Sequence, residues 1–400
     1  MNKPTVFITG ATGFLGSHLA CLMLKQGYRV VAMRRNPKSE GLFAQIHQFH
    51  QLPQAYQPQW VAGNILDIDD LCDAMVGVDV VFHCAAKVSF ERKDKDALMF
   101  NNVIGTRNVV NACLKNNIGQ LVYASSVAAI GRTENEAPIT EKTDWVDSKY
   151  NSQYAVSKNL AEQEVWRGKE EGLQVAIVNP GIILGYGDGK TGSNQLYHMI
   201  LKGLPFCPVG GNGFVGVEDV AKLMLHLFEN NLWNERYLCI AENLKYQHVF
   251  NQLADAMGVK QPKYTIDGVL YHVLVLFSTA LEKFGIKPPI PSDSIKSSHQ
   301  NSVYHSIHKE ALKDFQFTPE PDRDGLQWVR ATPQAPDGPI RSVMVGLRAA
   351  ASGPELAVLD VQDSLGQRSV LSFAAFESNP SLPPGTFVFK APAGAAVIRP

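Results

Sequence analysis

The feature that most limits the fold of this chain is a glycine-rich turn near its start, TGATGFLG over residues 9–16. The turn follows the apolar run Thr5–Ile8 and precedes a segment with helical spacing. Gly10 permits a tight turn, Gly13 lets backbone N–H groups approach a pyrophosphate, and Gly16 lets a helix pack closely on the strand. The order of strand, glycine turn and helix predicts a dinucleotide site at the positive end of that helix.

Short β-branched runs alternate with longer helical patterns through residue 180. This alternation predicts an α/β fold with a doubly wound parallel sheet in residues 1–180. The candidate strands are Thr5–Thr9, Val30–Met33, Gln59–Ala62, Val78–His83, Gln120–Ser125 and Val175–Pro180. The candidate helices are Phe14–Gln26, Ile68–Met75, Ala97–Asn116 and Tyr154–Glu171.

Residues 181–320 have a less regular pattern, with glycine-rich loops at 185–189 and 205–211 and a helical stretch at Val217–Phe228. Such loops would lie beyond the carboxyl ends of the strands, where open α/β sheets bind ligands. We therefore expect residues 181–320 to form a small C-terminal substrate-binding region.

The composition changes near residue 320. Residues 331–400 contain one lysine, no histidine and no tyrosine, but nine of the 23 prolines. The helical period is lost, and short β patterns separated by Gly and Pro turns take its place. A β-rich tail is therefore predicted over 321–400, with strands at Ser342–Arg348, Leu356–Val361, Ser369–Phe376 and Thr386–Phe389.

Tyr154 and Lys158 are four residues apart at the start of a predicted helix, so their side chains share one face. A neighbouring cation stabilises a phenolate, which would bring the pKa of Tyr154 closer to the range of a general acid–base. A second Tyr–Lys pair, Tyr186 and Lys190, lies in a Gly-Asp-Gly loop, where no helix aligns the two side chains.

Ser125 and Ser126 end the strand that precedes this helix. A hydroxyl at the carboxyl end of a central strand can hydrogen-bond a substrate oxygen near the nicotinamide, and Ser126 is our candidate for that role. The alternative is that both serines only cap the turn.

Together these motifs resemble the extended short-chain dehydrogenase/reductase family, and within it the dihydroflavonol-reductase and 3-beta-hydroxysteroid-dehydrogenase group. The resemblance covers roughly residues 3–320. The matching segments are TGATGFLG (9–16), HCAA (83–86), NNVIGTRNVV (101–110), YASS (123–126), YAVSK (154–158), NPGIILG (179–185) and VEDVA (217–221).

The resemblance implies a Rossmann sheet and three catalytic residues. Tyr154 would be the acid–base, Lys158 would hold the nicotinamide ribose and assist Tyr154, and Ser126 would position the substrate oxygen. The cofactor-binding residues expected from the motifs and the resemblance are Gly10, Thr12, Gly13, Phe14, Leu15, Gly16, Arg34, Arg35, Asn64, Ile65, Ala85, Ala86, Lys87, Asn102, Ser125, Tyr154, Lys158 and Pro180.

Two sites in the sequence differ from the resembled family or help to identify the cofactor. Arg34 and Arg35 stand at the end of the second strand, where an NAD enzyme tends to place an acid for the ribose hydroxyls. A guanidinium matches a 2′-phosphate, so we predict NADP over NAD; the alternative is two arginines on a solvated loop. After the third strand, Asn64 and Ile65 stand where the resembled family usually has an aspartate that contacts adenine.

The net charge, the histidine spacing and the cysteines indicate which ligands and which cellular location to expect. A net charge of −1 argues against nucleic acid recognised by bulk electrostatics. The pairs His47/His50 and His305/His308 lack nearby carboxylates or cysteines in a metal-binding pattern, so we expect solvated helix faces and no metal. Six scattered cysteines and no recognisable export segment favour a cytoplasmic location with reduced thiols.

Three helical segments bear on contacts with a membrane or with a second copy of the chain. The apolar stretch 268–281 is shorter than the roughly 20 residues of a membrane-spanning helix, so no transmembrane segment is predicted, and weak membrane contact stays open. Helices 97–116 and 154–171 could pair in a homodimer, as the resembled family often does.

The tail resembles another family, the periplasmic carriers of outer-membrane lipoproteins (LolA-like). The matching stretches are WVRATP (328–333), DSLGQR (363–368), FVF (387–389) and PAGA (392–395). A partial carrier joined to a cofactor-binding unit indicates a fusion or chimera; a natural accessory domain is the alternative.

The predicted function is an NADP-dependent oxidoreductase that interconverts a secondary alcohol and a ketone on a small, fairly apolar molecule. A nucleotide-sugar epimerase or dehydratase is the alternative within the same fold. From another class, the chain could be a cofactor-sensing or lipoprotein-binding protein without enzyme activity.

Overall fold

Seventeen strands and eleven α-helices make up the described part of the chain. The computed structural model describes residues 3–131, 137–148, 151–189, 192–308, 315–333, 340–350, 353–363 and 368–372. The strands are β1 (Thr5–Thr9), β2 (Arg29–Arg34), β3 (Gln59–Ala62), β4 (Val80–His83), β5 (Gln120–Ala124), β6 (Gln174–Pro180), β7 (Ile182–Leu184), β8 (Phe206–Pro208), β9 (Gly211–Gly216), β10 (Glu235–Cys239), β11 (Glu242–Lys245), β12 (Tyr264–Ile266), β13 (Phe315–Arg323), β14 (Leu326–Pro333), β15 (Ile340–Ala350), β16 (Gly353–Asp363) and β17 (Arg368–Ser372). The helices are α1 (Phe14–Lys25), α2 (Gly41–Phe49), α3 (Ile68–Ala74), α4 (Lys95–Leu98), α5 (Gly105–Lys115), α6 (Gln153–Glu170), α7 (Gln195–Leu201), α8 (Val217–Glu229), α9 (Tyr246–Ala256), α10 (Gly268–Lys283) and α11 (Ser292–His299).

The central sheet has seven strands in the order β10-β6-β5-β4-β1-β2-β3, and all neighbouring strands are parallel. Strands β2 and β3 lie on one side of β1, and β4, β5, β6 and β10 lie on the other, so the strand order reverses between β1 and β4. In open α/β sheets, ligands bind in the crevice at such a reversal. The predicted doubly wound Rossmann sheet is confirmed.

Apolar residues alternate across the sheet and supply a core on each face. Val6 and Ile8 of β1 belong to the core under α1, α2 and α8, whereas Phe7 belongs to the core under α3, α5 and α6. The six strands and four helices predicted for residues 1–180 lie within two residues of the observed bounds at most ends. The prediction left out α2 and the seventh strand, β10.

Local capping explains where the helices begin. The Asp67 side chain accepts hydrogen bonds from backbone N–H groups of the first turn of α3, and Ser152 does the same for α6 at Ala155 N. A π-helical segment, Met99–Ile104, connects α4 to α5 without a break. The start of α6 places Tyr154 in the first turn of that helix.

Smaller sheets follow the sixth strand. Strands β7, β9 and β11 form a three-stranded sheet, and β8 pairs with β12. Strand β10 belongs to the central sheet, although it lies within the region assigned to substrate binding. The division at residue 180 therefore stays a prediction, because residues on both sides of it build one sheet.

The chain divides into two compact units, Met1–His308 and Lys309–Pro400. In the second unit, β13 to β17 form an antiparallel meander in chain order. The predicted tail strands at 342–348 and 356–361 lie within β15 and β16, and β17 covers the start of the third. Residues 373–376 of the third and the whole of Thr386–Phe389 lie outside the described residues.

Candidate active site

The glycine turn adopts the tight geometry that its sequence predicts. Gly10 has φ of +71°, and a Cβ atom there would lie 2.6 Å from the Ala85 backbone nitrogen. A Cβ atom on Gly16 would lie 2.2 Å from the Gly10 carbonyl oxygen. Only glycine fits these two positions, and Gly13 is the N-cap residue of α1. The backbone N–H groups at the start of α1 therefore face a cradle suited to a pyrophosphate.

The segment after β4 forms the opposite wall and is held by Asn102. The Asn102 side chain accepts a hydrogen bond from Lys87 N at 2.7 Å and donates to Lys87 O at 3.0 Å. It also donates to Ser157 Oγ at 2.9 Å. Asn102 is 1% exposed and does not line the cavity itself, so it supports the cofactor groove from behind.

A cavity of about 770 Å³ lies between these walls. Besides Tyr154, fourteen of the predicted cofactor residues line it: Gly10, Thr12, Gly13, Phe14, Leu15, Gly16, Arg35, Ile65, Ala85, Ala86, Lys87, Ser125, Lys158 and Pro180. Tyr154, predicted for both catalysis and cofactor binding, lines it as well. The structure thus brings the glycine turn and the Tyr–Lys pair into one cavity.

Tyr154 and Ser126 are hydrogen-bonded to each other. Burial raises the pKa of the Tyr154 phenol, and the hydrogen bond with Ser126 offsets part of that rise. The expected lowering of this pKa by Lys158 is therefore wrong for the structure described here, because burial outweighs the effect of nearby groups. Ser126 also accepts a hydrogen bond from Ala128 N at 3.2 Å, so it caps a turn as well as contacting Tyr154.

Lys158 is 1% exposed and its ammonium group makes two hydrogen bonds within the protein. Nζ donates to the Tyr123 hydroxyl at 2.7 Å and to Ala124 O at 2.9 Å. Burial lowers the pKa of Lys158 to about 7, while the charge of Glu162 acts in the opposite direction. A lysine with a pKa near neutrality changes its charge readily, which is common at catalytic sites.

A buried carboxylate lies one helical turn beyond Lys158. Glu162 accepts hydrogen bonds from Ser125 Oγ at 2.7 Å and from Asn179 Nδ2 at 2.9 Å. Its other oxygen accepts from Arg236 Nη1 at 3.2 Å. The hydroxyl of Ser125 is thus engaged by Glu162, and Ser126 is the serine whose side chain contacts Tyr154.

Two residues predicted to contact the cofactor point elsewhere. Arg34 forms an ion pair with Glu40, and its guanidinium lies 5.6 Å from the centre of the Trp60 ring. Asn64 Oδ1 accepts a hydrogen bond from Leu66 N at 3.2 Å. Neither Arg34 nor Asn64 lines the cavity, because each side chain is turned toward a local partner.

Several lining residues were missed from the sequence: Met33, Ser39, Leu42, Gly63, Cys84, Val88, Asn101, Ala124, Ile183, Asp188, Gly192, Ser193 and Gln195. Some of them adjoin recognised motifs, as Asn101 adjoins Asn102 and Cys84 adjoins Ala85. Asp188, Gly192 and Ser193 come from the segment between β7 and α7, and Gln195 begins α7; the irregular pattern of this stretch carries no such signal.

Of the histidines predicted to be solvated, His305 and His308 are exposed, whereas His47 and His50 are packed. His47 is 8% exposed, and its Nε2 lies 2.9 Å from Tyr56 O. His50 Nε2 lies 2.9 Å from His18 Nδ1. The expectation failed because α2 packs on α1. Of the second Tyr–Lys pair, Tyr186 stacks on Phe49 with ring centres 4.2 Å apart, and Lys190 lies outside the described residues.

The cavity suits a nicotinamide dinucleotide. The glycine cradle excludes side chains where a pyrophosphate would approach, and α1 has no acidic residue in its first turn to repel one. The apolar residues Met33, Leu42 and Ile65 lie at the end of the cavity that Arg35 also lines. Tyr154 and Lys158 lie where the cavity meets β5 and α6, so one elongated ligand could contact both ends.

Comparisons with known proteins agree with this geometry. Residues 6–239 match the NAD dependent epimerase/dehydratase family. A Synechocystis sp. protein with the provisional name dihydroflavonol 4-reductase is 32% identical over 309 residues, which cover 74% of this chain and 86% of that protein. The crystal structure of gox2253 is similar with a TM-score of 0.64 and 30% identity, covering 77% of this chain and 92% of that one.

The tail matches a different protein. An outer-membrane lipoprotein carrier protein from Albidiferax ferrireducens is 58% identical over 86 residues, which are 22% of this chain and 40% of that carrier. This partial match is consistent with the predicted chimera. The family match spans more than half of the chain. The chain therefore belongs to the NAD dependent epimerase/dehydratase family, and its first unit is an NAD(P)-dependent oxidoreductase of the extended short-chain dehydrogenase/reductase type.

Proposed function

We propose that the protein is an NADP-dependent reductase that interconverts a ketone and a secondary alcohol through Tyr154, Lys158 and Ser126. The observation that carries this proposal is that Tyr154 and Lys158 line the cavity that the glycine turn shapes, with Ser126 hydrogen-bonded to Tyr154. A proton donor, a hydroxyl partner and a buried cation are the groups that reduction of a carbonyl needs.

Each residue has a distinct part in the proposed reaction. The raised pKa of Tyr154 keeps its phenol protonated at neutral pH, so it can give a proton to the substrate oxygen. Ser126 hydrogen-bonds the same oxygen as negative charge develops on it. Lys158 stabilises the phenolate that Tyr154 leaves behind. Bound NADPH would supply the hydride to the substrate carbon.

An apolar substrate is supported by an aromatic ring beside Tyr154. The Phe90 ring lies 5.7 Å from the Tyr154 ring, centre to centre. Phe90 follows the cavity wall formed by the segment after β4. An aromatic ring next to the acid–base favours substrates with an apolar body around the carbonyl.

NADP is proposed over NAD because Arg35, unlike Arg34, lines the cavity. Ser39 lines the cavity as well, but its hydroxyl donates to Asn36 O at 2.6 Å, so the proposal depends on the guanidinium of Arg35. A cytoplasmic location fits a site for this cofactor, which is supplied inside the cell.

The decisive experiment is turnover of NADPH with a panel of apolar ketones, followed by loss of the absorbance of the reduced nicotinamide. Tyr154→Phe should lower kcat by about 10²–10⁴-fold while leaving NADPH affinity unchanged. Tyr186→Phe is the matched control, since its ring stacks on Phe49 and should keep that contact. Full turnover by Tyr154→Phe would refute the proposal. Conversion of a nucleotide sugar without net oxidation of NADPH would favour the epimerase alternative.

We also propose a homodimer through the outer faces of the π-helical segment and α6. A groove of about 670 Å³ lies there, with Phe100 58% exposed beside Met99 and Leu160. Arg107 and Glu164 pair at its rim with Arg107 Nη2 2.7 Å from Glu164 Oε1. An apolar centre with a charged rim is typical of protein interfaces. Phe100→Glu should convert a dimer to a monomer in sedimentation velocity, and an unchanged sedimentation coefficient would count against this interface.

Weak membrane contact is proposed for α10. Its outward face carries Val269 (80% exposed), Leu276 (71%) and Phe277 (56%), and Phe284 just beyond the helix is 83% exposed. No exposed residue of this helix is acidic, and Lys283 lies at its end. Such a face suits a helix lying in a bilayer interface. Among the described helices, none is both long enough and apolar enough to cross a membrane.

Vesicles test that contact directly. The protein should co-sediment with vesicles of phosphatidylcholine and phosphatidylserine, and Leu276→Ser should weaken the binding. Leu232→Ser changes an exposed leucine elsewhere and should have no effect. Equal sedimentation with and without vesicles would exclude the contact.

A further inference from the structure

A chain of hydrogen bonds runs through the interior from the end of β1 to Lys158. Thr9 Oγ1 lies 2.6 Å from His83 Nδ1, and His83 Nε2 lies 2.9 Å from Thr106 Oγ1. Thr106 hydrogen-bonds Tyr123, and the Tyr123 hydroxyl accepts from Lys158 Nζ at 2.7 Å. All five residues are at most 1% exposed, so water does not compete for these groups.

A neutral histidine in the middle can join the hydroxyl groups of this hydrogen-bond network. Burial, together with the charge of Lys158, lowers the pKa of His83 to about 3. A neutral imidazole donates at one ring nitrogen and accepts at the other, so His83 can join two threonine hydroxyls. Because Lys158 donates to the Tyr123 oxygen, the Tyr123 proton is available for Thr106, and the Thr106 proton for His83. The network thus orients the Tyr123 oxygen as an acceptor toward Lys158.

Tyr123 contacts the ammonium group in two ways. Besides the hydrogen bond, Lys158 Nζ lies 4.4 Å from the centre of the Tyr123 ring, within the range of a cation–π interaction. The carbonyl oxygen of Ala124 accepts a second hydrogen bond. An ammonium group has three donors, so these two bonds leave one N–H for the cavity that Lys158 lines.

We propose that Tyr123 is a positioning residue, which fixes the direction of the free N–H of Lys158 and stabilises the charged form of that lysine. The inference rests on the role proposed above for Lys158 in holding the cofactor. Tyr123 itself is buried in the core behind the site and does not line the cavity. Its effect on the cofactor is exerted through Lys158 alone.

The pH dependence of cofactor binding separates this role from a merely structural one. Titration calorimetry of NADPH from mildly acidic to mildly alkaline pH should show affinity falling as Lys158 loses its proton, near pH 7 in the unaltered protein. Tyr123→Phe keeps the ring but removes the hydroxyl. We expect it to move this fall to lower pH by about one unit, because one hydrogen bond to the charged form is lost.

Tyr28→Phe is the matched control. The Tyr28 hydroxyl donates to Glu229 Oε1 at 2.7 Å, and Tyr28 is 8% exposed. This variant should lose stability, with the pH of the fall in affinity unchanged. A Tyr123→Phe protein that behaves in the same way would overturn the inference.

Thr106→Val provides a second variant should Tyr123→Phe fail to fold. It removes the partner that orients the Tyr123 hydroxyl, so a smaller shift in the same direction is expected. No shift in Thr106→Val would then overturn the inference. Binding of neither NADPH nor NADH to the unaltered protein would instead overturn the proposed function itself.

Discussion

Arg236 of β10 reaches Glu162 of α6, with Nη1 3.2 Å from Oε1. The Glu162 side chain is 3% exposed, and Arg236 also donates to Glu141 O at 2.6 Å and to Thr143 O at 3.0 Å. The pair joins the last strand of the central sheet to the helix that carries Tyr154 and Lys158.

Removal of the arginine should strongly destabilise the protein. Arg236→Met leaves the Glu162 carboxylate buried without its cation, and breaking such a pair costs about 3–5 kcal/mol. Chemical denaturation measures the change in the free energy of unfolding. Lys222→Met is the control, because the Lys222–Asp219 pair is more than 60% exposed on both sides and should contribute less than about 1 kcal/mol. Equal losses in the two variants would contradict the importance of the buried pair.

Gly10→Ala should abolish cofactor binding. The new methyl group would meet the Ala85 backbone at 2.6 Å in a conformation with φ of +71°. Gly27 has φ of +80° but no atom within 4 Å of its added Cβ, so Gly27→Ala reports the conformational cost alone, about 1–2 kcal/mol. Thermal unfolding with and without NADPH compares the two. Stabilisation of Gly10→Ala by NADPH to the wild-type extent would show that the turn does not form the cofactor site.

Arg35→Ala should weaken NADPH binding by about tenfold or more, since it removes a charge-assisted hydrogen bond to the 2′-phosphate. NADH binding should change little. Arg34→Ala should leave both affinities unchanged, because Arg34 pairs with Glu40. Dissociation constants for both cofactors decide the question. Tighter binding of NADH than NADPH by the unaltered protein would rule out the NADP preference.

Acid should destabilise the protein through His83. In the folded state the pKa of His83 is lowered to about 3 by burial, against an ordinary value of 6.5. As pH falls below 6.5 the unfolded chain takes up a proton that the folded protein does not, so stability falls by about 1.4 kcal/mol per pH unit until pH approaches 3. His83→Gln should lose this contribution to the pH dependence of unfolding, whereas His305→Gln, at an exposed histidine, should keep it. An identical slope in all three proteins would be incompatible with this account.

Short-range patterns in the sequence predicted most of the central sheet and the core of the site. The glycine turn, the Tyr–Lys spacing and the strand that leads into Ser126 each involve only a few consecutive residues, so their geometry follows from local chemistry. The side-chain directions of Arg34 and Asn64 were not predicted, because they depend on which hydrogen-bonding or charged groups lie nearby in the fold. Glu40 and Leu66 N are those groups.

Contacts between residues far apart in the sequence could not be predicted from such short-range patterns. The chain from Thr9 through His83 to Tyr123 joins three strands, and no spacing in the sequence relates them. Glu162 likewise contacts Arg236 only because β10 pairs with β6 in the central sheet, more than 50 residues later in the chain.

That pairing has a consequence for synthesis on the ribosome. Until residues 235–239 emerge, β6 is the edge of the sheet and presents unpaired N–H and C=O groups to any passing strand. A nascent chain ending between residues 180 and 235 would already hold the glycine turn, Tyr154 and Lys158, yet it would be prone to mispairing. Completion of the sheet therefore comes late in translation, after Tyr154 and Lys158 have been made.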